Sequence, residues 1–173
     1  MRKKQPTVDF PPISYEDEIY DDPESIANVL NEFFTSQSTV PDPDRPLPPV
    51  QSTNDSQLNN IELTQNDVQD ILLSLNIRKA TGPDGIGNRF LRLCATKLSS
   101  PLRVIFNRSL QAAVFPSLWK GASVIPLHKK DSVNECSNYR PIALTSCVSK
   151  VFERCVHKYI FNYFKDNDII TKM

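Results

Sequence analysis

Residues 122–164 read ASVIPLHKKDSVNECSNYRPIALTSCVSKVFERCVHKYIFNYF, and the change of periodicity within them decides the fold class. Two short β-like runs, Ala122-Ser123-Val124-Ile125-Pro126-Leu127 and Arg140-Pro141-Ile142-Ala143-Leu144, are separated by a polar loop, which predicts a pair of antiparallel strands. Each run carries one proline near a strand end or edge, the positions where a missing N–H is tolerated. The pattern then changes. Val148, Val151, Phe152, Cys155, Val156, Tyr159, Ile160, Tyr163 and Phe164 fall three, four, seven, eight, eleven, twelve, fifteen and sixteen positions after the first, the apolar stripe of an amphipathic helix. Strands followed by a helix that packs on its neighbours make an α+β chain, mainly helical with a small antiparallel sheet.

Upstream, the helical pattern continues as far back as Ile61. Thr64 and Asp67 are spaced as a capping box, and Val68, Ile71, Leu72 and Leu75 follow at helical spacing. The turn chemistry of Gly82-Pro83-Asp84-Gly85 ends that segment. A second helix is predicted over Asn88 to Lys97. A third opens at Ser99/Ser100 with Pro101 in its first turn, and the two form a helical hairpin. Trp119 follows Phe115-Pro116; an aromatic face beside basic residues could stack on a base, but the ring is assigned to the core between this hairpin and the first strand.

The first 60 residues differ in character. They hold 4 Lys/Arg against 11 Asp/Glu, whereas residues 61–173 hold 16 against 9, so a formal charge of zero hides two regions of opposite sign. Nine of the fourteen prolines fall within residues 1–49. Residues 1–60 are therefore read as an acidic, proline-rich linker, extended over Pro41–Pro49, with one amphipathic helix at about 23–34 begun by Asp22 and Pro23. That helix carries Ile26, Val29, Leu30, Phe33 and Phe34 on one side and needs a surface to dock on.

Several chemistries are excluded. Cys94, Cys136, Cys147 and Cys155 form no CxxC pair, and His128 and His157 stand apart from any ligand cluster, so no metal site is expected. Free thiols and the lack of a signal peptide suit an intracellular protein, and no apolar run is long enough to span a bilayer. Gly82 and Gly87 have the spacing of a Walker loop, but Asn88-Arg89 replace the Lys-Ser/Thr it requires. Asp166 and Asp168 are the only close carboxylates near the end. With no third ligand, they read as loop formers. The most suggestive constellation is the strand–loop–strand unit with Lys120, His128, Lys129, Lys130 and Arg140, whose cations suit a polyanion such as a triphosphate, although by charge alone a basic loop solvated at the surface is the better reading.

Four motifs in order sharpen this. They are Lys79-Ala80-Thr81-Gly82-Pro83-Asp84-Gly85-Ile86; Phe115-Pro116 with Trp119-Lys120; Val124-Ile125-Pro126 followed by Lys129-Lys130; and Asn138-Tyr139-Arg140-Pro141-Ile142-Ala143-Leu144-Thr145-Ser146 leading into Lys150-Val151-Phe152-Glu153. From Ile61 onward the chain resembles the fingers region of reverse transcriptases, the RNA-directed DNA polymerases of non-LTR, LINE-like retrotransposons. The resemblance implies a partial reverse transcriptase domain over 61–173, the fingers of a right-hand polymerase without its palm. It implies that Lys129 or Lys130, together with Arg140, holds the triphosphate of an incoming nucleotide. It also implies that Gly82, Pro83, Asp84 and Gly85 approach the template.

The resemblance further implies weak, salt-sensitive binding of a dNTP and of RNA or an RNA/DNA primer–template. Polymerases of this family hold two divalent ions on aspartates that lie beyond the segment matched here. The expectation is therefore a truncated polymerase with no catalytic residue and no metal or cofactor of its own, magnesium being expected only in a complete polymerase. The alternative is a non-enzymatic nucleic-acid-binding or protein-interaction remnant. An incomplete reading of a longer gene fits the residues equally well.

Overall fold

A computed structural model describes residues 10–38, 58 and 60–169. The proline-rich stretch 41–49 and the ends of the chain, 1–9 and 170–173, lie outside the described residues. In chain order the elements are β1 (Ile13–Tyr15), β2 (Glu18–Tyr20), α1 (Pro23–Ser38), α2 (Gln65–Leu73), α3 (Asn88–Leu93), α4 (Ala95–Gln111), α5 (Ser117–Lys120), β3 (Ala122–His128), β4 (Tyr139–Thr145) and α6 (Cys147–Asp166). The two sheets, β1–β2 and β3–β4, have two strands each. The α+β class expected from residues 122–164 is thus observed, with helices predominating.

The chain divides into two compact units, each built from two separate stretches of sequence. One unit joins residues 10–38 to 124–142, and the other joins 58–123 to 143–169. Within the first, Ile13, Ile26, Val29, Leu30, Cys136 and Tyr139 form one buried cluster. The predicted helix is α1. Asp22 begins it by accepting from the amides of Glu24 and Ser25, both at 3.0 Å. It docks on β1 and on the segment that leads into β4. The β1–β2 hairpin has no counterpart in the sequence reading. Its two-residue turn places Glu16 (φ 51°) and Asp17 (φ 66°) in the left-handed region, without the Asn-Gly pair that normally announces such a turn.

The second unit is helical around a larger core. Phe106 and Val68, both fully buried, lie with Leu72, Leu91, Val151 and Phe152 in a single cluster. Trp119 takes the predicted core role, its ring 5.8 Å from Phe106, 5.8 Å from Phe115 and 5.9 Å from Phe152. Asn107 of α4 ties down the entry to α2, accepting from the Leu63 amide (2.9 Å) and donating to the Leu63 carbonyl (3.0 Å). The helical hairpin has a different boundary from the one predicted. The break lies at Cys94, and Pro101 sits inside α4. Its ring removes one hydrogen bond to the carbonyl of Lys97. Lys97 is exposed, so water can serve that carbonyl. Ser146 begins α6 by accepting from the amides of Val148 (3.2 Å) and Ser149 (3.4 Å).

The predicted capping box is present and does more than cap. Thr64 and Asp67 satisfy each other's amides at 3.0 and 3.1 Å. The same carboxylate receives Lys158 Nζ at 2.8 Å and the Tyr159 hydroxyl at 2.8 Å, fastening α2 to α6. Burial alone pushes the Asp67 carboxyl up. Hydrogen bonds from Lys158, Thr64 and Tyr159 outweigh that and hold it well below its ordinary value. Tyr159 is pushed up to about 12 by burial and by the same carboxylate.

A carboxyl depressed on folding contributes stability that is fully present above its unfolded value and is lost as pH falls through its folded value. Stability should therefore be flat above about pH 5 and decline below about pH 4. Asp67→Asn should flatten that decline and cost about 1–2 kcal/mol at neutral pH, a modest figure because Lys158 is half exposed. Urea denaturation of both proteins across pH 3–7 measures it. Parallel curves would show that Asp67 is not responsible.

Candidate nucleic-acid interface

Lys129, Lys130 and Arg140 all lie in the first unit, at the β3–β4 connection, and all are exposed. The Lys129 amide donates to the Asn138 carbonyl at 2.7 Å. That bond sets Lys129 across from a residue two positions short of Arg140, so one lysine and the arginine flank the same end of the ribbon. Lys130 is turned toward its neighbour Asp131, at 3.6 Å. The exposure of both partners makes that pair worth little. His128 packs its ring against Tyr139, 5.3 Å between centroids.

The loop between the strands is wired internally. Asn138, mostly buried, donates to the Ser132 carbonyl at 2.9 Å, and the Tyr139 hydroxyl donates to the Val133 carbonyl at 2.7 Å. Tyr139 is 7% exposed and belongs to the core. The acidic segment holds the loop from outside. The Ser14 amide donates to the Asn134 carbonyl (2.6 Å), Asn134 Nδ2 donates to the Pro12 carbonyl (2.7 Å), and Ser14 bridges to Glu135 in parallel. These clamps went unread in the sequence because they join residues more than a hundred positions apart. The only local signal was the run of asparagines and serines in 132–138.

The other candidate residues, Gly82, Pro83, Asp84 and Gly85, lie in the second unit. The Gly85 amide closes the turn onto the Gly82 carbonyl at 3.1 Å, and Asp84 Oδ1 accepts from the Ile86 amide at 3.0 Å. The two glycines have different reasons to be glycine. A Cβ on Gly82 would stand 2.5 Å from the Thr145 carbonyl oxygen and 2.8 Å from the Ser146 amide nitrogen. The close approach that Gly82 permits is therefore to this chain's own backbone. Gly85 has φ +72° and nothing within 4 Å of a Cβ. Pro83, Asp84 and Gly85 are the exposed part of the turn.

Among the described residues no three His, Cys, Asp or Glu side chains gather as a metal site, and Asp166 and Asp168 sit exposed at and beyond the end of α6. No helix among the described residues is long and apolar enough to cross a membrane.

Comparison with known proteins supplies a family context. No protein-family model matches the chain. The chain is 34% identical over 95 residues, 54% of its length, to the RNA-directed DNA polymerase from mobile element jockey of Drosophila melanogaster. It is 31% identical over 107 residues, 61% of its length, to the probable RNA-directed DNA polymerase from transposon BS of the same species. The Pol polyprotein from the type-1 retrotransposable element R1 of Bradysia coprophila is 28% identical over 127 residues, 72% of the chain. The matched stretches span 10%, 11% and 12% of those proteins. The resemblance read from the four motifs, to RNA-directed DNA polymerases of non-LTR retrotransposons, is therefore shown over part of the chain.

Proposed function

We propose that this chain is the fingers portion of a retrotransposon RNA-directed DNA polymerase, gripping a nucleotide triphosphate and its template without supplying the metal-binding aspartates. The observation that carries the reading is the match of 54%, 61% and 72% of the chain to three such polymerases. The exposed cations at the β3–β4 connection support it. Lys129 and Arg140 flank one end of the ribbon, a point charge beside a planar fork, which suits a triphosphate. In this reading Lys129 makes the contact and Lys130 assists by charge alone. Pro83, Asp84 and Gly85 approach the template, and Gly82 holds their turn against the start of α6. No metal ion enters the proposal.

The acidic segment belongs to the grip. Residues 12–14 clamp the loop between Lys129 and Arg140, and Ile13 shares a core with Tyr139. The test therefore uses the whole chain. Titration with a deoxynucleoside triphosphate, followed by calorimetry, should give weak binding, and Lys129→Ala with Arg140→Ala should reduce the affinity at least about tenfold, the worth of one charge-assisted contact. Equal affinity in parent and double variant would sink the assignment.

One observation favours a protein-interaction role instead. Phe10, Ile26, Leu30, Phe34, Val124 and Pro126 line an apolar groove of about 200 Å³ in the acidic unit. In that case the chain would bind no triphosphate in the same titration.

A further inference from the structure

We infer that single-stranded RNA is held by a surface of the second unit, built by the loop after α2 and the outer side of α3, with Arg78 and Arg89 as its phosphate contacts and Phe90 as its stacking face. The inference rests on the polymerase-related reading for its ligand class and on the second unit's own geometry for its place.

Charge is the first observation. The three hairpin cations sit in a unit whose described residues hold nine Asp/Glu against three Lys/Arg, whereas the described residues of the other unit hold twelve Lys/Arg against seven Asp/Glu. A polyanion many charges long is governed by the field of the whole surface it lies on. The acidic unit can hold a compact triphosphate between two cations, but it repels an extended strand.

Geometry is the second. Two hydrogen bonds pin the loop beside α3: Asn88 Nδ2 donates to the Asn76 carbonyl at 2.9 Å, and Arg92 Nη1 donates to the Leu75 carbonyl at 3.4 Å. The Arg78 amide donates to Asn76 Oδ1 at 2.9 Å and the Lys79 amide to the Asn76 carbonyl at 3.3 Å, so the loop presents both cations from a closed turn. Leu91 and Asn88 face inward, which leaves Arg89, Phe90, Arg92 and Leu93 outward. Among the described residues none of Arg78, Lys79, Arg89 and Arg92 has a carboxylate within ion-pair distance. Uncompensated cations of this kind exchange counterions for phosphates.

The third observation points to a single strand rather than a duplex. Phe90 is 55% exposed and Leu93 77% exposed, beside those cations. An aromatic face among phosphate-binding cations is what unpaired bases stack upon, and paired bases offer no such face. The exposed turn with open space over Gly85 precedes α3 in the same unit, so the strand can continue over it.

The test is anisotropy of a fluorescein-labelled, mixed-sequence single-stranded RNA of about sixteen nucleotides, a length within the usual site range, titrated with the full chain at several salt concentrations. Arg78→Gln with Arg89→Gln is the informative variant, because among the described residues neither side chain makes a hydrogen bond and the fold should be untouched. Affinity should fall at least tenfold, and the slope of log affinity against log salt should drop by about 1.4, two single-strand phosphate contacts. Phe90→Ala should weaken single-stranded RNA while leaving the salt slope unchanged, and duplex RNA should bind the parent more weakly than the single strand.

Binding and salt slope unchanged in the double arginine variant would overturn the inference, as would failure of the parent chain to bind the RNA or tighter binding of the duplex. Triphosphate titration separates this from the functional reading. Loss of nucleotide binding on changing Lys129 and Arg140, with RNA binding intact, supports both. A parent that binds RNA through Arg78 and Arg89 but binds no triphosphate would keep this surface and remove the nucleotide grip.

Discussion

Replacing Gly82 with alanine is expected to destabilise the helical unit by about 3 kcal/mol, the upper end of what overpacking costs. The new methyl group would press on the peptide group that joins Thr145 to Ser146: the Thr145 oxygen at 2.5 Å, the Thr145 carbonyl carbon at 2.6 Å and the Ser146 nitrogen at 2.8 Å. A side chain in the way could rotate aside. These atoms cannot, because Ser146 is buried and caps α6. Relief requires shifting the end of β4 or the start of α6, and either loosens the shared core beneath.

Two other glycines calibrate the effect. Gly85→Ala meets nothing within 4 Å but forces a side chain to φ +72°, which costs about 1 kcal/mol. Gly121→Ala meets nothing and has an ordinary φ of −73°, so it should be neutral. Thermal denaturation of the three variants should rank Gly82 far below Gly85, and Gly85 slightly below Gly121. A Gly82 variant as stable as the Gly121 variant would show that the turn does not lie against Thr145.

The second large effect is Phe106→Ala, expected to cost about 3–5 kcal/mol. Phe106 is fully buried and stacks on Phe152 at 4.9 Å, with Trp119 edge-on at 5.8 Å. Truncation removes the transfer energy of the ring and leaves a cavity walled by two aromatic side chains that are themselves held elsewhere, Phe152 within α6 and Trp119 within α5. Trp119 is the only tryptophan, so its emission reports directly on this packing. Urea denaturation followed by that emission should show a lowered midpoint and a red-shifted folded baseline. Phe115→Ala, at the half-buried edge of the same group, should cost clearly less. Equal costs would mean that the cluster is not centred on Phe106.

Both effects bear on function through position. Gly82 carries the exposed turn that precedes α3, and the aromatic group braces α4 and α6 in the same unit. A loosened core would disturb the RNA surface while leaving Arg78 and Arg89 in the sequence, so stability has to be measured beside binding in every variant. The two proposed ligands also separate by unit: triphosphate at a charge pair within an acidic unit, and strand along a unit with a cationic surplus.

Local order was legible wherever it is carried by residues a few positions apart. Thr64 with Asp67, Asp22 with Pro23, and the three-four spacing from Val148 to Phe164 each name a hydrogen bond or a buried face within one or two turns of helix, and each appears as read. The boundary at Cys94 was misjudged for a related reason. Proline prefers a first turn, and nothing local announces that Pro101 will be tolerated within α4 because the carbonyl it orphans is on an exposed residue. The β1–β2 hairpin escaped because its turn uses Glu16 and Asp17 where glycine or asparagine would have signalled positive φ.

The candidate residues themselves came from the four motifs. Periodicity sufficed for the α+β class, because backbone hydrogen bonds and buried faces are properties of short segments, whereas the polymerase-like stretch and the choice of cations at the β3–β4 connection came from the resemblance that the four motifs carry. Only tertiary structure decided which cations share a unit, that Ser14 and Asn134 clamp the loop, and that Gly82 is glycine for the sake of Thr145. Those facts depend on residues 60 to 120 positions apart meeting in space, and the entropy of closing such loops is offset by buried area that no single segment contains.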